Sequence, residues 1–254
     1  MENYVKKIDG NKIFFKDIIN NTELVVAHND DDHIFDTIFI DEKLDISFIE
    51  FIIKELKKTN DIGVIISLYD SLHLENLLYN YGLRISNFQY TINYEDYLKT
   101  NDYDISSNLD EESKIFYLKN INKLSKINHQ YFNPDSKFIE FNETWFNNED
   151  FIYRIYRKDG KIVGIVDYKV FADDPNYGKP MNEVFNYNNK LCIRCLFGKD
   201  KSILEDILKD LLNTYKKDII ISITYTENNL REAVKNMNGN FNYCQYTFID
   251  ILKN

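Results

Sequence analysis

Residues 191–241 read LCIRCLFGKDKSILEDILKDLLNTYKKDIIISITYTENNLREAVKNMNGNF, and two hydrophobic periods alternate along them. Short runs of branched apolar residues predict buried strands, whereas apolar residues spaced by four predict amphipathic helices. With the residues that follow, the pattern predicts five elements: the strand Leu191–Leu196, a helix carrying Leu204, Leu208 and Leu212, the strand Ile219–Tyr225, a helix carrying Leu230, Ala233, Val234 and Met237, and the strand Phe241–Leu252. This alternation is typical of a sheet flanked by helices.

A weak copy of this unit lies earlier in the chain. Shifting the sequence by 156 residues without gaps lays residues 38–92 over 194–248, with 9 identities in 55 positions. They include Gln89-Tyr90-Thr91 over Gln245-Tyr246-Thr247. In a composition this biased, the identities alone prove little, and the order of elements is the better argument.

The earlier copy has the same hydrophobic pattern. It predicts the strand Thr37–Ile40, a helix carrying Phe48, Ile52 and Leu56, the strand Ile62–Leu68, a helix carrying Leu74, Leu77, Leu78 and Tyr81, and the strand Ile85–Tyr94. Gly82 and Gly239 each stand where a helix-ending glycine is expected. We therefore predict a tandem repeat of a β-α-β-α-β unit.

The segments before each copy differ. Residues 1–28 predict three short strands, Tyr4–Ile8, Lys12–Phe15 and Leu24–Ala27. Before the second copy we predict two helices, Asp110–Tyr131 and Pro134–Phe146, and a hairpin of Phe151–Arg157 with Lys161–Phe171. Either Asp110 or Ser113 is predicted to cap the first of these helices. The polar residues 99–112 predict a linker, which gives domains at 1–98 and 113–254.

Composition excludes several classes of protein. The chain has 254 residues, of which 44% are hydrophobic, so disordered and fibrous classes are excluded. Lys and Arg number 31 against 41 Asp and Glu, a net charge of -10, which argues against nucleic acid or an anionic membrane as partner. No apolar run is long enough to span a membrane. Three cysteines without a secretion signal predict the cytoplasm, and a homodimer is compatible with the sequence.

The element order over Leu109–Asn254 resembles that of the GNAT superfamily of N-acyltransferases: two helices, an antiparallel hairpin, then strand, helix, strand, helix, strand. YRIYRKDGKIVGIVDYKVF (residues 153–171) is similar to the family's second and third strands, and TENNLREAVKNMNGNF (226–241) to its last-helix segment. The first half resembles a truncated copy. The resemblance implies an α/β (α+β) fold of two GNAT-like units, each a mixed, mostly antiparallel sheet flanked by helices.

The resemblance also implies a site for acetyl-CoA in the second half, without a metal. In the family a helix N-terminus and a glycine-rich turn hold the pyrophosphate. The corresponding turn here is shorter and has one glycine. The residues expected to bind the cofactor are Leu196, Phe197, Gly198, Lys199, Lys201, Ser202 and Asn229. An ordinary turn with solvated lysines is the alternative. In the first half the equivalent turn, residues 41–45, carries three carboxylates, so we expect no CoA there.

The catalytic residues are less clear from the sequence. The family's tyrosine on the last helix corresponds to Lys235. Tyr225 is the substitute that we predict as general acid, although the sequence favours a structural tyrosine of the core or sheet edge at this position. Glu183 is the predicted base, with Asp167 as another candidate, although the sequence favours an exposed surface carboxylate for either of them. The loop Ala172–Asn189 mixes acids and aromatics that suit a small cationic amine.

Two apparent metal signals are discounted. Cys192-x-x-Cys195 lies on a predicted strand, where residues three apart point to opposite faces, so we expect separate buried thiols. The cluster His28 to His33 is interpreted as a solvated loop.

Two hypotheses therefore stay open. In the first, the chain is an acetyl-CoA-dependent N-acetyltransferase that acts on a small amine. In the second, it is a non-catalytic GNAT-like binding or scaffold protein with a degenerate acyl-CoA site.

Overall fold

A computed structural model describes residues 3–10, 12–27, 36–59, 62–98, 102–132, 137–147, 150–171 and 187–248. Its strands are β1 Tyr4–Asp9, β2 Lys12–Asp17, β3 Thr22–Ala27, β4 Asp36–Ile40, β5 Ile62–Ser67, β6 Leu83–Ile92, β7 Asp104–Ser106, β8 Ile152–Lys158, β9 Lys161–Val170, β10 Leu191–Gly198, β11 Ile219–Thr224 and β12 Asn240–Phe248. Its helices are α1 Ile46–Thr59, α2 Leu72–Asn80, α3 Glu111–Phe132, α4 Lys201–Tyr215 and α5 Asn228–Asn236, with a 3-10 turn at Glu143–Asn147. None of these helices is both long and apolar enough to cross a membrane.

The order β-α-β-α-β occurs twice, as the sequence predicts. The first run is β4-α1-β5-α2-β6 and the second is β10-α4-β11-α5-β12. In each run the first two strands are parallel, since β4 pairs with β5 and β10 pairs with β11. That the two runs are copies of one repeated unit stays a prediction.

The first compact unit comprises residues 1–88, 132–136 and 242–254. Its β1, β2 and β3 form an antiparallel sheet, and its other strands follow the order β4-β5-β12-β6. The apolar stripe of α1 is buried as predicted, with Phe48, Ile52 and Leu56 at most 2% exposed. The predicted repeat assigns β12 to the second half of the chain, whereas the contacts group most of this strand with the first unit.

The second compact unit comprises residues 89–131 and 137–241. Its strand order is β6-β11-β10-β9-β8-β7, and every pair from β10 to β7 is antiparallel. The sheet is therefore mixed and mostly antiparallel, which confirms the predicted fold class. The predicted stripe of α4, Leu204, Leu208 and Leu212, is buried. β7 lies inside the stretch 99–112 that the sequence presents as a linker.

The two helix ends that the repeat aligns are closed by different residues. After α2 the left-handed position is Gly82, with φ of +87°, as predicted. After α5 it is Asn238, with φ of +54°, so the assignment of this role to Gly239 is wrong. Asn tolerates left-handed backbone because its short polar side chain bonds locally. Gly239 is needed for space instead, since a Cβ there would lie 2.5 Å from Val234 Cγ1 and 2.9 Å from Val234 O.

We expect Gly239→Ala to lower the free energy of unfolding by about 1–3 kcal/mol, the usual cost of overpacking. One of the clashing atoms is a backbone oxygen of α5, which cannot rotate away. Urea unfolding of the two proteins measures the difference. The matched control is Asn238→Gly, which keeps the left-handed backbone and is expected to change stability little. Equal stabilities of Gly239→Ala and the parent protein would contradict the packing argument.

The predicted helix Pro134–Phe146 is not formed in the described part of that stretch. Residues 137–142 have no regular structure, and only a 3-10 turn follows. The side chain of Asn122 on α3 explains this, because its Oδ1 accepts from Phe141 N at 2.7 Å and its Nδ2 donates to Phe141 O at 3.0 Å. Both backbone groups that a helix would use are thereby taken.

Candidate functional site

The parallel strands β10 and β11 separate within the second unit. Their pairing covers only Leu191–Ile193 against Ile219–Ile221, whereas the pairing of β10 with β9 continues to Gly198. From residue 194 onward, the edge of β10 that faces β11 therefore forms no strand pairing with β11. We call the gap between the two diverging strands the fork. It lies at the carboxyl ends of parallel strands, where ligands bind in open α/β sheets.

A β-bulge marks the point where the fork opens. Ile193 pairs with Tyr168 and Cys195 pairs with Asp167, so Arg194 is the extra residue of β10. The bulge is held by a side chain, because Cys195 N donates to Asp167 Oδ1 at 2.7 Å. Bulges of this kind bend a strand and redirect its side chains.

The bulge overturns the predicted geometry of the two cysteines. Cys192 pairs with Lys169 and Cys195 with Asp167, which are two residues apart on β9. Directly opposed residues share a face of the sheet, so the two thiols lie on the same face and not on opposite ones. Both are free, and burial followed by Asp167 raises the pKa of Cys192 to about 11 and that of Cys195 to about 12. They are therefore protonated, unreactive thiols.

Asp167 is fully buried, so its interpretation as an exposed surface carboxylate is wrong. Its Oδ2 accepts from Arg194 Nε at 2.5 Å and from Tyr117 OH at 3.0 Å, in addition to an ion pair with Arg194 Nη2. Trp145 Nε1 extends the network by donating to Tyr117 OH at 3.0 Å. Burial raises the pKa of Asp167, while Arg194, Tyr117 and Cys195 N oppose this by donating to the ionised form.

The predicted anion site lies at the start of α4. β10 ends at Gly198, Lys199 N donates to Val163 O at 2.9 Å, and the helix begins two residues later. Asp200 caps the helix: its Oδ1 accepts from Ile203 N at 3.1 Å and from Ser202 Oγ at 2.8 Å. These bonds and the one from Ser202 N lower the pKa of Asp200. A carboxylate of the chain itself thus holds the amide groups that an incoming anion would use.

The other residues predicted to bind the cofactor differ in burial and in their side-chain contacts. Leu196 and Phe197 are buried in the sheet, so only their backbone groups are available to a ligand. Lys201 Nζ lies 3.3 Å from Glu232 Oε2 in an exposed ion pair. Asn229 is exposed in the first turn of α5.

Of the two predicted catalytic residues, the structure describes only Tyr225. Glu183 lies outside the described residues. Tyr225 follows β11 at the fork and stacks on Tyr131 of α3, with ring centroids 5.4 Å apart and planes at 20°. The next residue, Thr226, donates to Asn128 Oδ1 of the same helix at 2.8 Å. These contacts fix α3 against the open end of β11.

A carboxylate that sequence reasoning missed lies at the same place. Glu227 Oε2 accepts from Thr224 Oγ1 at 2.8 Å and from Thr224 N at 3.0 Å. Burial raises the pKa of Glu227, and these two bonds oppose the shift. Its charge is also a minor cause of the raised pKa of Cys195 on β10, after burial and Asp167. The signal that could have identified Glu227 in the sequence is its position between a predicted strand and the start of a predicted helix.

The elements from α3 to β12 follow nearly the order that the sequence predicts. One opening helix, a hairpin, and then strand, helix, strand, helix, strand follow each other, with two parallel strands that separate at their carboxyl ends. This is the element order that the resemblance to the GNAT superfamily predicts. Only the second opening helix is replaced, over its described part, by an irregular segment and a 3-10 turn.

Comparisons with known proteins return structural likenesses alone. No family model matches the chain, and no curated protein matches it in sequence. A conserved protein of unknown function from Staphylococcus epidermidis is 10% identical, with a TM-score of 0.49 over 97% of this chain and 93% of its own. A GNAT-family acetyltransferase from Colwellia psychrerythraea is 11% identical, with a TM-score of 0.44 over 97% and 92%. A GCN5-related N-acetyltransferase from Sphaerobacter thermophilus is 8% identical, with a TM-score of 0.44 over 94% and 81%.

Proposed function

We propose that the chain is an N-acyltransferase that moves the acetyl group of acetyl-CoA to a small amine, with the donor bound in the fork. The observation that carries the proposal is the open edge of β10 beyond Ile193, at the bulge. Backbone groups on such an edge suit the amides of an extended thioester arm, which would run along β10 as an added strand does. The cytoplasmic location and the homodimer stay predictions.

The chemistry needs a proton acceptor at the fork. Acetyl-CoA supplies an activated thioester, so that the amine nitrogen forms a C–N bond while the C–S bond breaks and the thiolate takes up a proton. In this proposal Glu227 accepts the proton that the amine loses, because its raised pKa makes it a stronger base than an exposed carboxylate. Tyr225, at the end of the same strand, is the general acid, as expected from the sequence.

The pyrophosphate end of the donor fits the chain less well than the arm does. Asp200 already occupies the first amides of α4, and its charge repels an anion. A pyrophosphate here depends on Lys199 and Lys201, the second of which is paired with Glu232. We therefore expect donor binding that is governed by these two lysines and that weakens with salt.

Calorimetric titration with acetyl-CoA and with desulfo-CoA tests the proposal. We expect saturable binding of both at micromolar strength. The double variant Lys199→Glu with Lys201→Glu is expected to abolish this binding, because it replaces two attractive charges with two repulsive ones. The matched control is Lys119→Glu with Lys123→Glu on α3, which makes the same change of net charge at two exposed positions and is expected to leave binding unchanged.

The absence of heat with either compound, in protein shown to be folded, would contradict the acyltransferase proposal. The second candidate function, a non-catalytic binding or scaffold protein, would then replace it. A specific observation favours that candidate: the N-termini of α1 and α4 are both closed by the chain's own aspartates. Asp45 Oδ1 accepts from Ser47 N at 2.8 Å in α1, as Asp200 does from Ile203 N in α4.

A further inference from the structure

An open pocket of about 410 Å³ lies on the α3 side of the second unit, beside the bulge. A pocket of this volume is at the small end of the range for small-molecule sites, so it suits a single compound and not a polymer. Its lining comprises Glu140, Phe141, Asn142, Thr144, Trp145 and Arg194. These residues come from the irregular segment after α3, from the 3-10 turn and from β10.

The guanidinium of Arg194 is held rigidly at the wall of this pocket. Its Nε and Nη2 are bonded to Asp167, and Nη2 also donates to Tyr153 OH at 3.1 Å. Its centre lies 3.8 Å from the ring centroid of Phe151 and 4.7 Å from that of Trp145. Among the described residues nothing accepts a hydrogen bond from Nη1. A guanidinium clamped in this way is a preorganised donor for a carboxylate.

The pocket also presents a negative charge and an apolar surface. Glu140 is exposed and forms no ion pair within the described part of the chain. Phe141 and Trp145 lie edge to face, with centroids 4.7 Å apart, and supply aromatic surface. A simple carboxylic acid would be repelled by Glu140, and a simple amine would leave Arg194 Nη1 without a partner. A ligand that carries both charges satisfies both groups.

We propose that this pocket binds a small zwitterion of the amino-acid class. Its carboxylate pairs with Arg194, its ammonium with Glu140, and its hydrocarbon part packs on Phe141 and Trp145. Binding of this zwitterion does not depend on the function proposed above. Its role as the amine that receives the acyl group does rest on that function.

Trp145 is the only tryptophan in the chain, so its fluorescence reports occupation of the pocket directly. We would titrate the full-length protein, without acyl-CoA, with phenylalanine, phenethylamine and phenylpropionate while exciting tryptophan selectively. Phenylalanine is expected to change the emission saturably, and each singly charged analogue is expected to bind at least about fivefold more weakly. We remove a charged group from the ligand and leave Arg194 unchanged, because an Arg194 variant would leave the buried Asp167 without its ion-pair partner.

Glu140→Gln tests the other charge. It is expected to weaken phenylalanine binding by about fivefold and to improve phenylpropionate binding, because it removes the attraction and the repulsion together. The matched control is Glu143→Gln, three residues along, which is also exposed and does not line the pocket, and it should bind as the parent does. No saturable response to phenylalanine, or an equal response to phenethylamine, would overturn the proposal. Binding of phenylalanine without acyl transfer in the presence of acetyl-CoA would support the site and contradict its role as the acceptor of the acyl group.

Discussion

Asp167→Ala is expected to lower the free energy of unfolding by about 3–5 kcal/mol, the usual cost of breaking a buried ion pair from one side. The carboxylate is fully buried and holds Arg194, Tyr117 and the backbone N of Cys195. Its removal leaves a positive charge, a hydroxyl and an amide without their acceptor. It also removes the bond that fixes the bulge of β10. Denaturant unfolding followed by far-ultraviolet circular dichroism measures this loss.

The matched control is Asp150→Ala. Asp150 also pairs with a cation of the same sheet, with Lys169 Nζ 3.1 Å away, but Asp150 is exposed and Lys169 only half-buried, so we expect little change. Asp167→Asn is a milder second variant, because the amide retains one acceptor oxygen while losing the charge. If Asp167→Ala unfolds at the same denaturant concentration as Asp150→Ala, the buried network does not stabilise the bulge.

Hydrophobic periodicity was sufficient to predict the elements of both repeats. Phe48 and Ile52 on α1 and Leu204 and Leu208 on α4 are all buried, because four-residue spacing leaves one stripe to face a sheet. The hairpin of β8 and β9 was equally predictable from the sequence, because Asp-Gly is a common hairpin turn. Asp159 and Gly160 both have positive φ in that turn. Both features are determined by residues that are close together in the sequence, so a single sequence is enough to predict them.

The fork depends on contacts that local pattern does not contain. Strict alternation along β10 placed Cys192 and Cys195 on opposite faces, and the bulge at Arg194 reversed this. The cause is a carboxylate on another strand, Asp167, which bonds Cys195 N. Asn122 similarly prevents a helix through a bond to Phe141, 19 residues away. Predicting either feature requires knowing which side chains meet across the sheet.

Glu227→Gln is expected to lower the turnover rate of acyl transfer by about 10²- to 10³-fold, within the usual contribution of a general base. The KM for acetyl-CoA is expected to change little, since Glu227 is proposed to act on the amine. The rate of the parent protein should rise with pH through the raised pKa of Glu227, and the variant should lack that rise. Glu111→Gln is the matched control, because it makes the same change at an exposed residue of α3 that has no proposed role in binding or catalysis.

Stability provides a second readout for Glu227 that is independent of catalysis. A carboxyl whose pKa is higher in the folded state holds its proton longer there than in the unfolded chain. The resulting stabilisation is present below the unfolded pKa, near 4.5, and is lost as pH rises through the raised folded pKa. Glu227→Gln should remove this decline because glutamine does not titrate. A variant that loses the decline and keeps the parent's turnover rate would show that Glu227 is not the base. Glu183, the base predicted from the sequence, would then be the next candidate.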